Sequence, residues 1–315
     1  ALVGKLQAAE KKARSRAMKN RLPFEGLQIK PTASFFNDSP SQEPGERNWS
    51  KFGFDLNPHV TIISTLILAV FICLNLMFHD QAQAFFSSAL SYITAKVGWF
   101  FILTVNLIIL ACLFFCFSRF GKIRIGGKEA LPEFSTGAWF AMLLSAGMGI
   151  GLMFWSVGEP MYHLASPSPM FSNLTAGTPE AAQAAMGVTF FHWGIHPWAV
   201  YSLMGLGLAF FSYNRGLPLT IRSVFYPLLG DKIYGFWGHL IDILSILATL
   251  AGLATSLGLG VQQVNAGLNA LWGLEISTTN QVLLIASITA VATLSVMSGL
   301  DKGVKFLSSL NMGVA

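Results

Sequence analysis

The chain has 315 residues, of which 53% are hydrophobic and only 11% are charged, with a mean hydropathy of +0.56. A soluble domain carries roughly 25% charged residues, so this composition excludes a soluble protein and indicates an integral membrane protein. The net charge of +5 does not require a nucleic-acid partner, because membrane topology explains where the basic residues lie in the chain.

Six intervals contain no Asp, Glu, Lys or Arg and are long enough to cross a bilayer as helices, which takes about 20 residues. They are residues 56–79, 97–118, 134–158, 181–214, 243–274 and 276–300. Helices are the expected spanning form because backbone groups find no hydrogen-bond partner in hydrocarbon and must pair with one another. The sequence also has no short alternating segments of the kind that form barrels. We therefore predict an all-α integral membrane protein with six spans.

The basic residues predict the orientation of these spans. Of the 20 Lys and Arg residues, ten precede the first span, four follow the second, three follow the fourth and two follow the sixth. Only Lys96 lies in a loop of the opposite set. Cytoplasmic loops are enriched in Lys and Arg, so we expect a multi-pass protein whose N-terminus is cytoplasmic.

Residues 1–56 are basic and then rich in Ser, Pro and Asn, without apolar periodicity, which predicts a mostly disordered cytoplasmic tail. Residues 57–134 are expected to form two transmembrane helices joined by an amphipathic connector, Gln81–Tyr92, on the outer face. The three cysteines all lie in predicted spans, at Cys73, Cys112 and Cys116. No His or carboxylate accompanies them, so we interpret them as packing residues.

The third span is interrupted by three alternating glycines in the stretch from Gly147 to Gly151. Each glycine costs a helix about 1 kcal/mol relative to Ala. In membranes such glycines serve either close helix packing or local unwinding, and the residues alone favour neither. Unwinding would free carbonyl groups for a cation and direct the next helix N-terminus at an anionic group. Trp155, four residues after Gly151, is placed to reach the same cavity.

The fourth span carries three large aromatic residues, Trp193, Trp198 and Tyr201. On a continuous helix they fall at about 0°, 140° and 80°, so their rings would share one side. The rings either face lipid and neighbouring helices or form a box for a poorly hydrated cation. Pro197 removes a backbone donor and clashes with the carbonyl of Trp193, which predicts a kink within this aromatic stripe.

Few other polar residues interrupt the spans. In the fifth span, hydroxyls such as those of Thr249 and Ser256 usually bond to their own helix. Asp242, near its cytoplasmic end, is expected to be a cap or network residue. His192 and His196 are four residues apart, which without further ligands is a weak zinc signal. The spans assemble no Ser/His or metal-ligand constellation, so we do not predict an enzyme.

Taken together, four stretches of this sequence resemble the betaine/choline/carnitine transporter family. They are Gly147–Gly151 with Glu159-Pro160; His192-Trp193, His196-Pro197-Trp198 and Tyr201; Tyr213–Thr220; and Ala254–Gly260. The combination is highly specific, whereas the glycine stretch alone is not, and the similarity covers roughly residues 57–315.

The resemblance implies a secondary transporter with two inverted five-helix repeats behind two extra N-terminal helices, assembled as a homotrimer in a bacterial inner membrane. Residues 135–315 would then be the first repeat, incomplete, with its broken helix, and we expect the second repeat to lie beyond Ala315. Function is therefore inferred for the complete protein.

By the same resemblance, Trp193, Trp198 and Tyr201 form most of an aromatic box around a quaternary ammonium group. The unwound glycines Gly149 and Gly151 meet the substrate. The remaining expected site residues are Trp155 and Ser256 for the substrate and, for a sodium ion, the carbonyl groups of Ser145 and Met148 with Thr249.

Two departures from the family pattern bear on substrate and coupling. Choline carriers of the family often have Asp where Gly151 stands, so its absence favours a zwitterion such as glycine betaine. Sodium-coupled relatives can present two threonines four residues apart in the fifth span, whereas this chain has Thr249 but Leu253, which cannot ligate an ion. The leading hypothesis is sodium-coupled uptake for osmoprotection. Proton-coupled choline uptake, carnitine-type exchange and a channel are the alternatives.

Overall fold

The computed structural model describes residues 48–51, 53–127, 129–171, 173–299 and 303–314. Most of the predicted disordered tail lies outside these residues. Its last part is instead a two-stranded antiparallel hairpin in which Trp49 pairs with Leu56. Asp55 stabilises the hairpin, since its Oδ1 accepts hydrogen bonds from Asn48 Nδ2 at 2.9 Å and from Ser50 Oγ at 3.1 Å. The last residues of the segment predicted to be mostly disordered, Trp49–Lys51 and Phe54–Leu56, are therefore ordered as strands.

The described part of the chain is almost entirely helical. In chain order its elements are β1 (Trp49–Lys51), β2 (Phe54–Leu56), α1 (Pro58–Met77), α2 (His79–Phe117), α3 (Thr136–Gly147), α4 (Ile150–Ala165), α5 (Pro179–His192), α6 (Ile195–Ala209), α7 (Tyr226–Leu229), α8 (Phe236–Trp272), α9 (Thr278–Met297) and α10 (Lys305–Val314). A π-helical turn, Phe210–Asn214, follows α6.

Among the described residues, five helical stretches are long and apolar enough to cross a membrane, and α3 with α4 adds a sixth if this pair, bent by 48°, counts as one span. This agrees with the predicted all-α membrane protein and its six spans. The segment 81–92, for which we predict a connector, is helical and continuous with the second span in the 39-residue α2. No proline interrupts α2, so the helix propagates through the polar stretch.

The chain divides into two compact units, residues 1–130 with 195–247 and residues 131–194 with 248–315. In the first unit α2 packs against α6, where the thiol of Cys112 lies 3.5 Å from the carbonyl oxygen of Ala199. This contact agrees with a packing role for Cys112. In the second unit α4 packs against α5, and α3 packs against α10.

The segment between α6 and α8 contains a buried hydrophobic cluster formed by Leu217, Tyr226, Ile233 and Tyr234. Asn214 secures its entry: its side chain accepts a hydrogen bond from the Gly126 amide at 2.9 Å and donates one to the carbonyl of Arg124 at 3.0 Å. The stretch from Tyr213 to Thr220, one of the four similar to the transporter family, is thus a structural junction.

The same loop is joined to α8 by an ion pair. Arg222 Nε lies 2.8 Å from Asp242 Oδ2, and only about a tenth of either side chain is exposed. The Arg222 backbone amide also donates to Asp242 Oδ1 at 3.2 Å. Arg222 Nη1 donates to the carbonyl of Ile233 at 3.4 Å. Asp242 is therefore a network residue, one of the two roles predicted for it.

Candidate functional site

The glycine stretch of the third span is a break between two helices. Helix α3 ends at Gly147, and Met148 leaves the helical region with φ −87° and ψ 61°. Gly149 is extended, at φ −81° and ψ 176°, and α4 begins at Ile150. A Cβ atom on Gly149 would meet nothing within 4 Å, so close helix packing does not explain this glycine. Of the two interpretations left open by the sequence, local unwinding is confirmed.

The break exposes the hydrogen-bonding groups of two helix ends. The first N–H groups of α4 and the last carbonyl groups of α3 have no partners within their own helices. Helix N-termini favour anions, and helix C-terminal carbonyls favour cations. The site can therefore meet both a carboxylate and a small cation.

Trp193 lies next to this break. A Cβ atom on Gly151 would lie 3.9 Å from Trp193 Cη2, an ordinary van der Waals contact, so the indole edge lies close to this glycine. Trp155, on α4, packs edge-on against Phe154 with ring centroids 5.2 Å apart. Gly151, Trp155 and Trp193 all belong to the second unit, and the structure places Gly151 and Trp193 together.

Trp193 is not part of a helix. Helix α5 ends at His192, and Trp193, with φ −91° and ψ 8°, is the residue that caps it. Helix α6 starts at Ile195, which places Pro197 in its first turn, where a missing amide costs little. The interruption predicted within the aromatic stripe is thus present. The predicted ring angles assume a single continuous helix, which the structure does not have here. The predicted angle of Trp193 to the other rings therefore does not apply.

The indole N–H of Trp193 is held by a buried carboxylate. Glu159 on α4 is 6% exposed, and its Oε2 accepts from Trp193 Nε1 at 2.8 Å. His192 Nδ1 lies 2.8 and 2.9 Å from the two carboxylate oxygens. His163, one turn after Glu159, has its Nε2 3.6 Å from Oε1. One carboxylate thus joins the end of α5 to α4 through the side chains of two consecutive residues.

Trp198 and Tyr201 belong to the first unit, one turn apart on α6. Their ring centroids are 6.1 Å apart with the planes inclined at 56°. Trp198 is 38% exposed and Tyr201 is 62% exposed. Two tilted rings with accessible surface suit a bulky cation, which is attracted to the faces of aromatic rings.

The residues expected at a sodium ion lie in the second unit. Ser145 is in the last turn of α3 and Met148 directly follows that helix, so their carbonyl groups fit an oxygen-ligated cation. The Ser145 hydroxyl accepts a hydrogen bond from Asn311 Nδ2 on α10 at 3.1 Å. Thr249 and Ser256 are exposed side chains on α8.

The sequence pointed to the aromatic and glycine residues but missed the anchor of Trp193. In the sequence Glu159 stands out only as part of a stretch similar to the transporter family, and no pattern singles out His163. The available signal was a single carboxylate within an apolar segment, since such groups are costly in a membrane and are retained for a specific partner.

Comparison with known proteins gives a consistent result. Residues 59–315 match the family described as betaine/carnitine/choline family transporter. Glycine betaine transporter 1 of Vibrio parahaemolyticus is 46% identical over 279 residues, which are 88% of this chain and 53% of that protein. A glycine betaine/proline/choline transporter of the same organism is 44% identical over 278 residues, which are 84% of this chain and 50% of that protein. Glycine betaine transporter OpuD of Bacillus subtilis is 46% identical over 236 residues, which are 75% of this chain and 46% of that protein.

The chain therefore spans about half the length of these relatives. Their names agree on glycine betaine and differ on proline and choline. The match covers the glycine break, the aromatic residues and Glu159.

Proposed function

The chain belongs to the betaine/carnitine/choline transporter family, and we propose that the complete protein takes up a quaternary-ammonium zwitterion such as glycine betaine, coupled to sodium, for osmoprotection. It is a multi-pass membrane protein. We further propose a cytoplasmic N-terminus in a bacterial inner membrane and a homotrimeric assembly.

The observation that carries the substrate proposal is the position of Trp193 next to the break between α3 and α4, all within the second unit. In the first unit, the tilted rings of Trp198 and Tyr201 on α6 offer two further aromatic faces. Rings bind the methylated ammonium group through their faces. The N-terminus of α4 offers amide donors to the carboxylate at the other end of the same substrate. A zwitterion satisfies both parts of such a site.

Magnitudes indicate that the rings alone do not suffice. Three cation–π contacts at about 0.5–2 kcal/mol each supply roughly 2–6 kcal/mol. Micromolar binding requires about 8.2 kcal/mol. The substrate carboxylate must therefore contribute, through amide donors or through a neighbouring cation in a medium of low dielectric constant.

A sodium ion, when bound, would supply that positive charge and link substrate uptake to the membrane potential. The carbonyl groups of Ser145 and Met148, with Thr249 from α8, are the residues that we propose to hold it. One charge moved through about 100 mV provides roughly 2.3 kcal/mol. That energy corresponds to an accumulation of about 50-fold, because each 1.4 kcal/mol is a factor of about ten.

Transport by the full-length protein in proteoliposomes tests the proposal. We expect saturable uptake of radiolabelled glycine betaine that depends on an inward sodium gradient and is weakly inhibited by choline. Uptake that ignores sodium and follows a proton gradient would favour the proton-coupled alternative. Unsaturable, uncoupled flux with single-channel currents would indicate a channel.

A further inference from the structure

We infer that Glu159 is the positioning residue of the proposed aromatic site: its carboxylate fixes Trp193 in the orientation in which the indole meets the substrate. This inference rests on the proposed function, because it concerns the same binding site. The contact joins residues 34 positions apart in the chain, Trp193 Nε1 donating to Glu159 Oε2 at 2.8 Å.

The local backbone explains why Trp193 needs an anchor. Its own amide is bonded to the carbonyl of Thr189 at 3.0 Å, which fixes where the chain leaves α5. The side chain, however, belongs to a residue outside any helix, in the interruption between the end of α5 and the start of α6. The indole has one hydrogen-bond donor, its Nε1–H, so a single acceptor sets the rotation of the ring.

The acceptor is well suited to this task. Hydrogen bonds to a carboxylate are shorter and roughly twice as strong as those between neutral groups, and 2.8 Å lies within the range for charge-assisted bonds. Glu159 itself is held in place, because His192 Nδ1 lies 2.8 and 2.9 Å from its two oxygens. His163 Nε2, 3.6 Å from Oε1, flanks it from its own helix. A buried carboxylate with several neighbouring donors has little freedom to turn, so it transmits its position to the ring.

A purely structural role is the competing explanation, since the same carboxylate links α4 to α5. The two roles differ in the partner on which they depend. If the carboxylate only links the two helices, it depends equally on His192, whose side chain is 64% exposed. Loss of that link would lower the amount of folded protein. A ring anchor depends on the indole N–H and changes the affinity for substrate.

A double-mutant cycle on the full-length protein distinguishes them. The variants are Glu159→Gln, Trp193→Phe and the pair together, with KM and maximal rate of glycine betaine uptake measured for each. Phenylalanine keeps an aromatic face but has no N–H to anchor. We expect Glu159→Gln to raise KM about tenfold, because a neutral amide oxygen is a weaker acceptor for the indole N–H than a carboxylate, with a smaller effect on the maximal rate. In the Trp193→Phe background the same change should have no further effect on KM.

Two controls keep the result interpretable. Glu180→Gln makes the same chemical change at an exposed position in the first turn of α5 and should leave KM at the wild-type value. If Glu159→Gln does not fold, Glu159→Asp preserves the charge but withdraws the carboxylate by one carbon–carbon bond, and KM should again rise.

The inference is overturned if the wild-type protein transports glycine betaine while the two single effects on KM multiply in the double variant. It is also overturned if folded Glu159→Gln, or Glu159→Asp in its place, has the wild-type KM. Failure of the wild-type protein to accumulate any methylated ammonium compound would instead refute the proposed function.

Discussion

Two carboxylates on long apolar segments are almost fully buried, Glu159 in the second unit and Asp242 in the first, and their partners differ in kind. Asp242 is bound by Arg222 through both the guanidinium group and the backbone amide. Glu159 is surrounded by an indole and two imidazoles.

This difference separates a stabilising carboxylate from a positioning one. Arginine stays charged at any accessible pH, so the guanidinium of Arg222 is a constant cationic partner for Asp242 in the loop between α6 and α8. The partners of Glu159 include an aromatic ring beside the helix break, and the ring is the group that a substrate would contact. We therefore expect changes at Asp242 to affect folding and changes around Glu159 to affect transport.

The largest expected effect that tests this contrast is on stability. Asp242→Asn leaves the Arg222 guanidinium buried without a counter-charge, which costs about 3–5 kcal/mol when a buried pair is broken. We expect little folded protein in fluorescence-detected size-exclusion chromatography and a markedly lower melting temperature. Asp80→Asn, at an exposed position in the first turn of α2, is the matched control and should resemble the wild type. A stable Asp242→Asn protein with altered KM would reverse the assignment of the two carboxylates.

The next effect concerns the rings. Removing one cation–π contact costs about 0.5–2 kcal/mol, so Trp193→Ala and Trp198→Ala should each raise KM for glycine betaine by roughly 2- to 30-fold. The melting temperature should fall less than for Asp242→Asn, because Trp198 is partly exposed. Trp139→Ala, which removes a 53% exposed indole on α3, serves as the control. If both tryptophan variants have the wild-type KM, the proposal that these rings form an aromatic box is refuted.

Much of the fold follows from local sequence properties. The intervals without charge predicted the spans because burying a charge in hydrocarbon is costly at any position in the segment. The break at 147–151 was visible because glycine weakens a helix wherever it occurs. The interruption before Pro197 followed from the missing amide of a single residue.

The polar contacts could not be predicted in this way. Glu159 meets Trp193 across 34 positions, and Arg222 meets Asp242 across 20, so both depend on how helices and loops pack. The angle predicted for Trp193 does not apply for a related reason: a helical wheel assumes a continuous helix, and α5 ends one residue before Trp193. The network role of Asp242 was foreseen only as one of two possibilities, since a cap and an ion pair look alike in sequence.

The smallest expected effect is that of Tyr226, in the same loop between α6 and α8 to which Asp242 binds. Tyr226 is buried, and its hydroxyl donates to Asp231 Oδ1 at 3.4 Å. Burial, and next the negative charge of Asp231, raise the pKa of Tyr226 above its ordinary value of 10.0. The neutral phenol is thus favoured in the folded state, so this contribution to stability is complete below about pH 10 and is lost as the pH rises through the folded-state pKa.

At pH 7, Tyr226→Phe should cost less than about 1.5 kcal/mol of folding free energy, the upper end for one ordinary hydrogen bond. Above pH 10 the melting temperature of the wild type should fall more steeply than that of Tyr226→Phe. Equal slopes would show that the loop is held by the Arg222–Asp242 pair without a titrating contribution from the phenol.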